Sequence, residues 1–418
     1  MRICAFLLAL SGAVIATGQD YISADALRDV GLTRYWQISV PLEADQRITS
    51  AYLVEDQLYL TTNDSYAFAV HAPTGAVRWM RPVGGGNYPI PQPCHVDGKT
   101  VFATPPKVTI YDKISGDPAQ EFALRFPAGT GPITDGARYF IGGLDGRYYA
   151  FPFGRDFAVW KVVTQSRVVS RPVIYGEYLF VGSTDGRVFA CRSADKFRHW
   201  IRATSGPIVG DLAANERGVY VPSQDQSLYL MALDTGTPRW RVRLSGKLDE
   251  GPVVTPDVVF QFVHEDGLVA IEADPLKRGE RVRWKFHEGR KALTLLDGAV
   301  LVLTRDGRLV AIDLETGQPR GAGASANGLT IPVPSADNST VFLASADGRV
   351  FCARPVGVEP LRVEQVRLAM QSDVTQPSEE EPETSAVATT TADDTTPSDR
   401  PAVPAIGGKS KVSKSFED

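Results

Sequence analysis

A unit of about 40 residues recurs along the chain, and no other feature of the sequence limits the fold so tightly. The clearest copy runs Leu179-Phe180-Val181-Gly182-Ser183-Thr184-Asp185-Gly186-Arg187-Val188-Phe189-Ala190-Cys191. Two β-branched and aromatic runs flank Asp-Gly, the short-range signature of a hairpin, because the tight turn needs a residue at φ > 0. The same turn recurs as Asp145-Gly146, Asp266-Gly267, Asp306-Gly307 and Asp347-Gly348, with Asp64 and Asp225 in register but lacking the glycine. From Asp64 the steps are 81, 40, 40, 41, 40 and 41 residues. The first is a double step, so a further copy belongs near residue 105. There Pro105-Pro106 replaces Asp-Gly ahead of the strand-like Lys107-Val108-Thr109-Ile110-Tyr111. The count is eight.

A tryptophan ladder shares this register. Trp79, Trp160, Trp200 and Trp240 each follow their Asp by fifteen residues, and Trp284 follows Asp266 by eighteen after an insertion around Pro275 to Gly279. The same spacing places Glu121, Gly321 and Arg362 in the second, seventh and eighth copies. Trp36 lies in the strand-like Tyr35-Trp36-Gln37-Ile38-Ser39-Val40 with no hairpin ahead of it, where it can complete the eighth unit. A four-stranded blade at an open end would leave unpaired edges and an uncovered apolar face.

The expectation is an all-β chain: an eight-bladed β-propeller of four-stranded blades over 34–363, closed by an N-terminal strand. Helical repeats of similar period would need 3.6-residue periodicity, which is absent. An open β-solenoid is the other all-β reading, and Trp36 favours the ring. Only Ser23 to Gly31, within a lead-in over 19–33, reads as a helix, with Ser23 as N-cap and Gly31 as stop.

The ends differ from the repeat. Arg2 precedes an apolar run from Ile3 to Ala16, sized for a signal peptide and too short for a bilayer, with Ala16-Thr17-Gly18 as a cleavage site. Residues 1–18 are therefore expected to direct export, the other readings being an uncleaved anchor or a buried helix. Cys4 precedes the apolar core rather than following it, which argues against a lipid anchor. From Gln371 to Asp418 the chain holds ten acidic and four basic residues and no Leu, Trp or Tyr. Such a segment cannot bury enough apolar area to offset the entropy of ordering, so a disordered tail is expected over 371–418. The tail's −6 exceeds the whole chain's net −5, so the remainder is close to neutral and gives no reason to expect a nucleic-acid partner.

The unit Ala69-Val70-His71-Ala72-Pro73-Thr74-Gly75-Ala76-Val77-Arg78-Trp79, with Ala311-Ile312-Asp313-Leu314-Glu315-Thr316-Gly317 in the seventh copy, resembles the tryptophan-docking motif of PQQ-like β-propellers. The resemblance implies eight blades, each held by its tryptophan against the next. It implies two functional branches. Quinoprotein dehydrogenases carry PQQ and Ca²⁺ over the central channel. A cofactor-free branch, which includes the propeller lipoprotein of the outer-membrane β-barrel assembly machinery, serves as scaffold.

The residues favour the scaffold branch. The dehydrogenases' paired adjacent cysteines have no counterpart: Cys94, Cys191 and Cys352 are isolated, and the last two fall across the ring from each other. One turn Asp per blade cannot converge the six to eight oxygens that Ca²⁺ takes. His71, His95, His199, His264 and His287 fall in different blades, without ligand spacing, and neither Gly-x-Ser-x-Gly nor His-Glu-x-x-His occurs. Arg147, Arg187, Arg308 and Arg349 follow the turns as solvated hairpin charges or as a polyanion-binding rim. The Gly84-Gly85-Gly86-Asn87-Tyr88 stretch beside the degenerate second copy is a candidate contact loop, if it is not drift that a closed ring tolerates. The expectation is a monomeric, exported scaffold with no catalytic, metal or cofactor residues, binding envelope proteins. A PQQ-dependent alcohol or sugar dehydrogenase and an extracellular glycan-binding propeller are the alternatives.

Overall fold

The computed structural model describes residues 20–85, 88–335, 339–362, 364, 365 and 368. The expected leader, Gly86 and Asn87, and the expected tail lie outside the described residues. The described residues form eight four-stranded antiparallel sheets. Seven are built from consecutive strands: blade 1 over 48–82, blade 2 over 94–123, blade 3 over 133–163, blade 4 over 173–203, blade 5 over 213–243, blade 6 over 253–286 and blade 7 over 289–325. In blade 8 the outer strand is Leu32–Ser39, paired to Arg349–Pro355, with Val341–Ala344 and Ile331–Val333 inside it. At six of the eight seams the first strands of neighbouring blades touch one another, which makes them the innermost.

Each sheet lies between two others, so both of its faces are buried. The second strands therefore read as continuous apolar or small runs: Gln57–Thr62, Gly218–Ser223 and Ala299–Thr304 are buried at every position. Outer strands alternate, as in Pro238–Arg243, where Trp240 and Val242 point inward between exposed arginines. The buried side chains fall into eight clusters, and each joins residues of two adjacent blades. The hydrophobic core is thus a ring of seams.

The turn glycines hold left-handed backbone, from φ +75° at Gly146 to +90° at Gly348, and Ser65 and Gln226 take the same conformation in the two turns without Gly. A hydroxyl two residues ahead of the turn Asp donates to its carboxylate at Thr62–Asp64, Ser183–Asp185, Thr304–Asp306 and Ser345–Asp347. In blade 2, Pro105-Pro106 closes the hairpin with Thr104 paired directly to Lys107. This shorter turn moves the register, so Gln120 rather than Glu121 stands opposite Ile110 in the tryptophan position. In blade 7, Arg320 rather than Gly321 pairs with Ala311, because the irregularity of the outer strand lies closer to its end. In blade 8, Trp36 pairs with Cys352, and Arg362 lies beyond the last strand.

Blade 7 has no tryptophan, and the N-terminal segment covers its seam with blade 8. Helix Ala24–Asp29 is capped by the Ser23 side chain, which accepts from Ala26 N–H. Ile22, Leu27, Val30 and Leu32 pack on Leu293, Leu309, Ala324 and Leu343. Val356 N–H donates to Gly31 O and Leu361 N–H to Tyr35 O, tying the end of the propeller to its start. The propeller begins two residues ahead of the expected boundary, and its last strand ends at Pro355.

Leu27 is fully buried in this seam, and Leu→Ala substitutions at such sites cost ~2–5 kcal/mol. Leu27→Ala should lower the urea midpoint of the whole ring in a single transition, as followed by far-UV circular dichroism.

Candidate functional site

Six tryptophans occupy one structural position, the outer strand opposite a mostly small residue of the third. The pairs are Trp36–Cys352, Trp79–Ala69, Trp160–Ala150, Trp200–Ala190, Trp240–Leu230 and Trp284–Ala270. Four indoles donate to a carbonyl in the third-to-fourth strand turn of the next blade: Trp36 to Ala72 O at 3.0 Å, Trp79 to Lys113 O at 3.1 Å, Trp200 to Leu233 O at 2.8 Å and Trp284 to Leu314 O at 2.9 Å. A left-handed glycine in that turn lies against the ring. A Cβ added to Gly75, Gly236 or Gly317 would fall 2.8, 2.5 and 2.5 Å from the indole, and at Gly116 it would be closer still. Among the described residues, the Trp160 and Trp240 indoles find no acceptor. Trp160 meets a turn with Lys196 at φ +63° instead of glycine, and Trp240 meets the insertion of blade 6, where the Arg281 guanidinium lies 5.4 Å from its ring.

The turn aspartates stay apart, each held within or beside its own hairpin. Asp145 accepts from Arg147 and from the Tyr149 hydroxyl at 2.6 Å, Asp225 accepts from Tyr229, and Asp266 pairs with Lys285 at 3.0 Å. Among the recurring arginines, Arg147, Arg187 and Arg349 fold back onto their turn Asp, and Arg308 donates to Ala322 O. Two residues beyond the candidate contact stretch, Tyr52 donates to Ile90 O at 3.0 Å, and within the stretch Tyr88 stands half-exposed.

At the start of the innermost strands, residues about forty apart place Arg171, Asp211, Glu250, Arg290 and Lys291 around one mouth of the channel. Arg171 N–H donates to the Asp211 carboxylate at 2.8 Å, and Glu250 takes Arg290 at 2.6 Å and Lys291 at 3.6 Å. Burial raises the Asp211 carboxyl above its ordinary range and lowers Lys291 and Arg171 below theirs. These charges brace adjacent blades and include no nucleophile with a neighbouring base. The sequence reading missed this belt, although the 40-residue steps among its members carry the signal.

The family model described as outer membrane protein assembly factor BamB matches residues 154–243 and 224–362, together half of the chain. The chain belongs to this BamB family of PQQ-like propellers. Among solved structures it is similar to BamB from Moraxella catarrhalis, at 17% identity over 77% of this chain and 99% of that one, with a TM-score of 0.62. It is also similar to the computationally designed Ika8 protein, at 14% identity over 75% and 98% of the two chains, with a TM-score of 0.55. No curated protein matches the sequence. At these identities the structural likenesses speak for the fold alone.

Some PQQ-like propellers carry PQQ with Ca²⁺, and the donor set of this BamB-family chain does not fit that pair. Among the described residues, no group of three His, Cys, Asp or Glu side chains is placed to hold a metal ion. Cys94, Cys191 and Cys352 are buried and unpaired in blades 2, 4 and 8, with burial raising the first two thiols to about 12 and about 11. The carboxylates at the channel mouth are already engaged by their neighbours.

A buried polar network crosses the seam between blades 1 and 2. The Tyr59 hydroxyl lies 2.8 Å from both His95 Nε2 and Thr100 Oγ1, His95 Nδ1 lies 2.9 Å from Glu55, and Lys113 bridges Glu55 and Asp56 at 2.8 Å each. Burial pushes the His95 imidazole below its ordinary 6.5. Lys113 and then His95 hold the Glu55 carboxyl below its ordinary 4.5. The unfolded chain binds the histidine proton more readily, so this stability is complete above pH 6.5 and declines as pH falls below it. The Glu55 contribution is lost at still lower pH.

Two measurements follow. Trp200→Ala should cost ~3–5 kcal/mol in urea unfolding, and Trp160→Ala, at a half-buried ring without a hydrogen bond, should cost less. Melting temperature should begin to fall as pH drops through 6.5, and His95→Gln should flatten that part of the profile.

Proposed function

We propose that the protein is a non-catalytic scaffold of the cell envelope that holds other proteins together in the assembly of outer-membrane β-barrels. One observation carries this reading: residues 154–243 and 224–362 match the model of a family described as an outer-membrane assembly factor. The chemistry of the ring agrees with it. The turn aspartates named above and the channel-mouth carboxylates are engaged with their neighbours on the propeller, as in a rigid platform, and they form no acid–base or nucleophilic constellation. Export through the leader read in residues 1–18 would deliver the ring to the envelope as a monomer.

The test is a strain lacking the chain, assayed for folded outer-membrane barrels by their heat-modifiable migration. Barrel levels should fall and recover on complementation. Unchanged barrels, together with dye-coupled alcohol oxidation by the purified chain supplied with PQQ and Ca²⁺, would overturn the scaffold in favour of a dehydrogenase.

A further inference from the structure

We propose that the seam between blades 2 and 3 is a vacant tryptophan seat that binds an extended, acidic segment of a partner protein through an aromatic side chain. This rests on the scaffold reading and locates its binding surface.

Blade 2 presents Gln120 where the other docking blades present Trp. The turn that a tryptophan there would meet runs 153–158, and its left-handed residue, Gly154 at φ +74°, comes two residues earlier than in the other docking turns. Gly75, Gly116, Gly236 and Gly317 each lie against an indole ring, whereas a Cβ on Gly154 would meet nothing within 4 Å. Beside it opens a cleft of about 580 Å³, walled by Phe126 stacked on Tyr149 at 3.7 Å, by Phe151, and by Phe157 and Val159, which are 53% and 50% exposed. An aromatic side chain fits such a wall.

The adjoining strand edge is open. Trp160–Val163, the outer strand of blade 3, pairs only with Arg147–Pro152 and leaves its other edge free. Outer strands elsewhere carry guarding charges, such as Arg198 and Arg202 in blade 4 and Arg239, Arg241 and Arg243 in blade 5. Here the exposed positions are Lys161 and Val163, the latter 58% exposed. An open edge with a single charge, beside a cleft walled by aromatic rings, is the geometry of strand addition, in which backbone pairing supplies affinity and alternate side chains supply specificity.

Charge selects the partner. Arg125, Lys161 and Lys196 line the cleft with Asp156 as its single acid, and among the described residues these three cations make no ion pair. Most cations of the turns and channel are paired. An extended segment that alternates acidic residues with one aromatic and further apolar residues therefore meets the seat, the edge and the rim together.

The experiment uses the full chain and a fluorescein-labelled, end-capped peptide, Glu-Val-Glu-Trp-Glu-Val-Glu, read by fluorescence anisotropy. Saturable, salt-sensitive binding is expected, weakened at least about tenfold when Trp is replaced by Ala, Glu by Lys, or alternate peptide nitrogens are methylated. Gln120→Trp fills the seat from within, so it should abolish binding without lowering the melting temperature, and Lys161→Glu should weaken binding in a folded ring. Absence of saturation up to about 1 mM peptide, or equal binding by Gln120→Trp and the unaltered chain, overturns the proposal. So does equal affinity for the acidic and lysine peptides. If barrel assembly still depends on the chain while Gln120→Trp supports it fully, the seat falls and the scaffold stands.

Discussion

Each sheet of this ring must be covered on both faces, and the rest of the structure follows from how that need is met. A four-stranded antiparallel sheet with one bare apolar face is not stable in water, and eight stacked sheets still leave two bare faces unless the stack closes. Closure is made by pairing Leu32–Ser39 with Arg349–Pro355, which joins the propeller's first and last strands within one sheet and brings Trp36 over the Gly75 turn of blade 1. The core is distributed over eight seams, so the loss of any seam exposes two faces at once.

The seams solve the same packing problem differently. Where the next turn offers a left-handed glycine at the docking position and a free carbonyl, the indole seats flat and donates, as at Trp79, Trp200 and Trp284. Where blade 6 has an insertion, Arg281 takes up a place over Trp240. Between blades 7 and 8 the helix Ala24–Asp29 and its flanking Ile22, Val30 and Leu32 supply the missing apolar surface. Between blades 1 and 2 a tyrosine–histidine–glutamate network joins the Trp79 contact. The seam between blades 2 and 3 keeps its apolar walls and lacks a docking tryptophan. The departures from the repeat set this one ring apart from a uniform scaffold.

Much of this was legible in the residues. Eight units, their hairpins and the role of Trp36 in the eighth could be read from the spacing of Asp-Gly and Trp, because both positions are set by local geometry that only a few residue types satisfy. Register was readable only where the turn kept its length. Pro105-Pro106 shortens a hairpin and Gly321 to Gly323 lengthen an outer strand, so spacing alone pointed one residue away from Gln120 and Arg320. Contacts between units were harder to see. His95 looked isolated because its partners, Tyr59 and Glu55, lie about forty residues earlier, in another blade. Arg171 and Asp211 likewise meet only when the ring is formed. The helix at Ala24 was visible from its cap, but its task depends on blade 7 lacking a tryptophan, which is a property of the assembled ring.

Hydrogen exchange of the strand Leu32–Ser39, followed by mass spectrometry beside its partner Arg349–Pro355, tests the central claim most directly. If closure holds the ring together, the two strands share the slowest, globally limited exchange, and the inner strands of blades 1 and 8 lose protection only with them. Early, independent exchange of Leu32–Ser39 while Arg349–Pro355 stays protected would contradict the account.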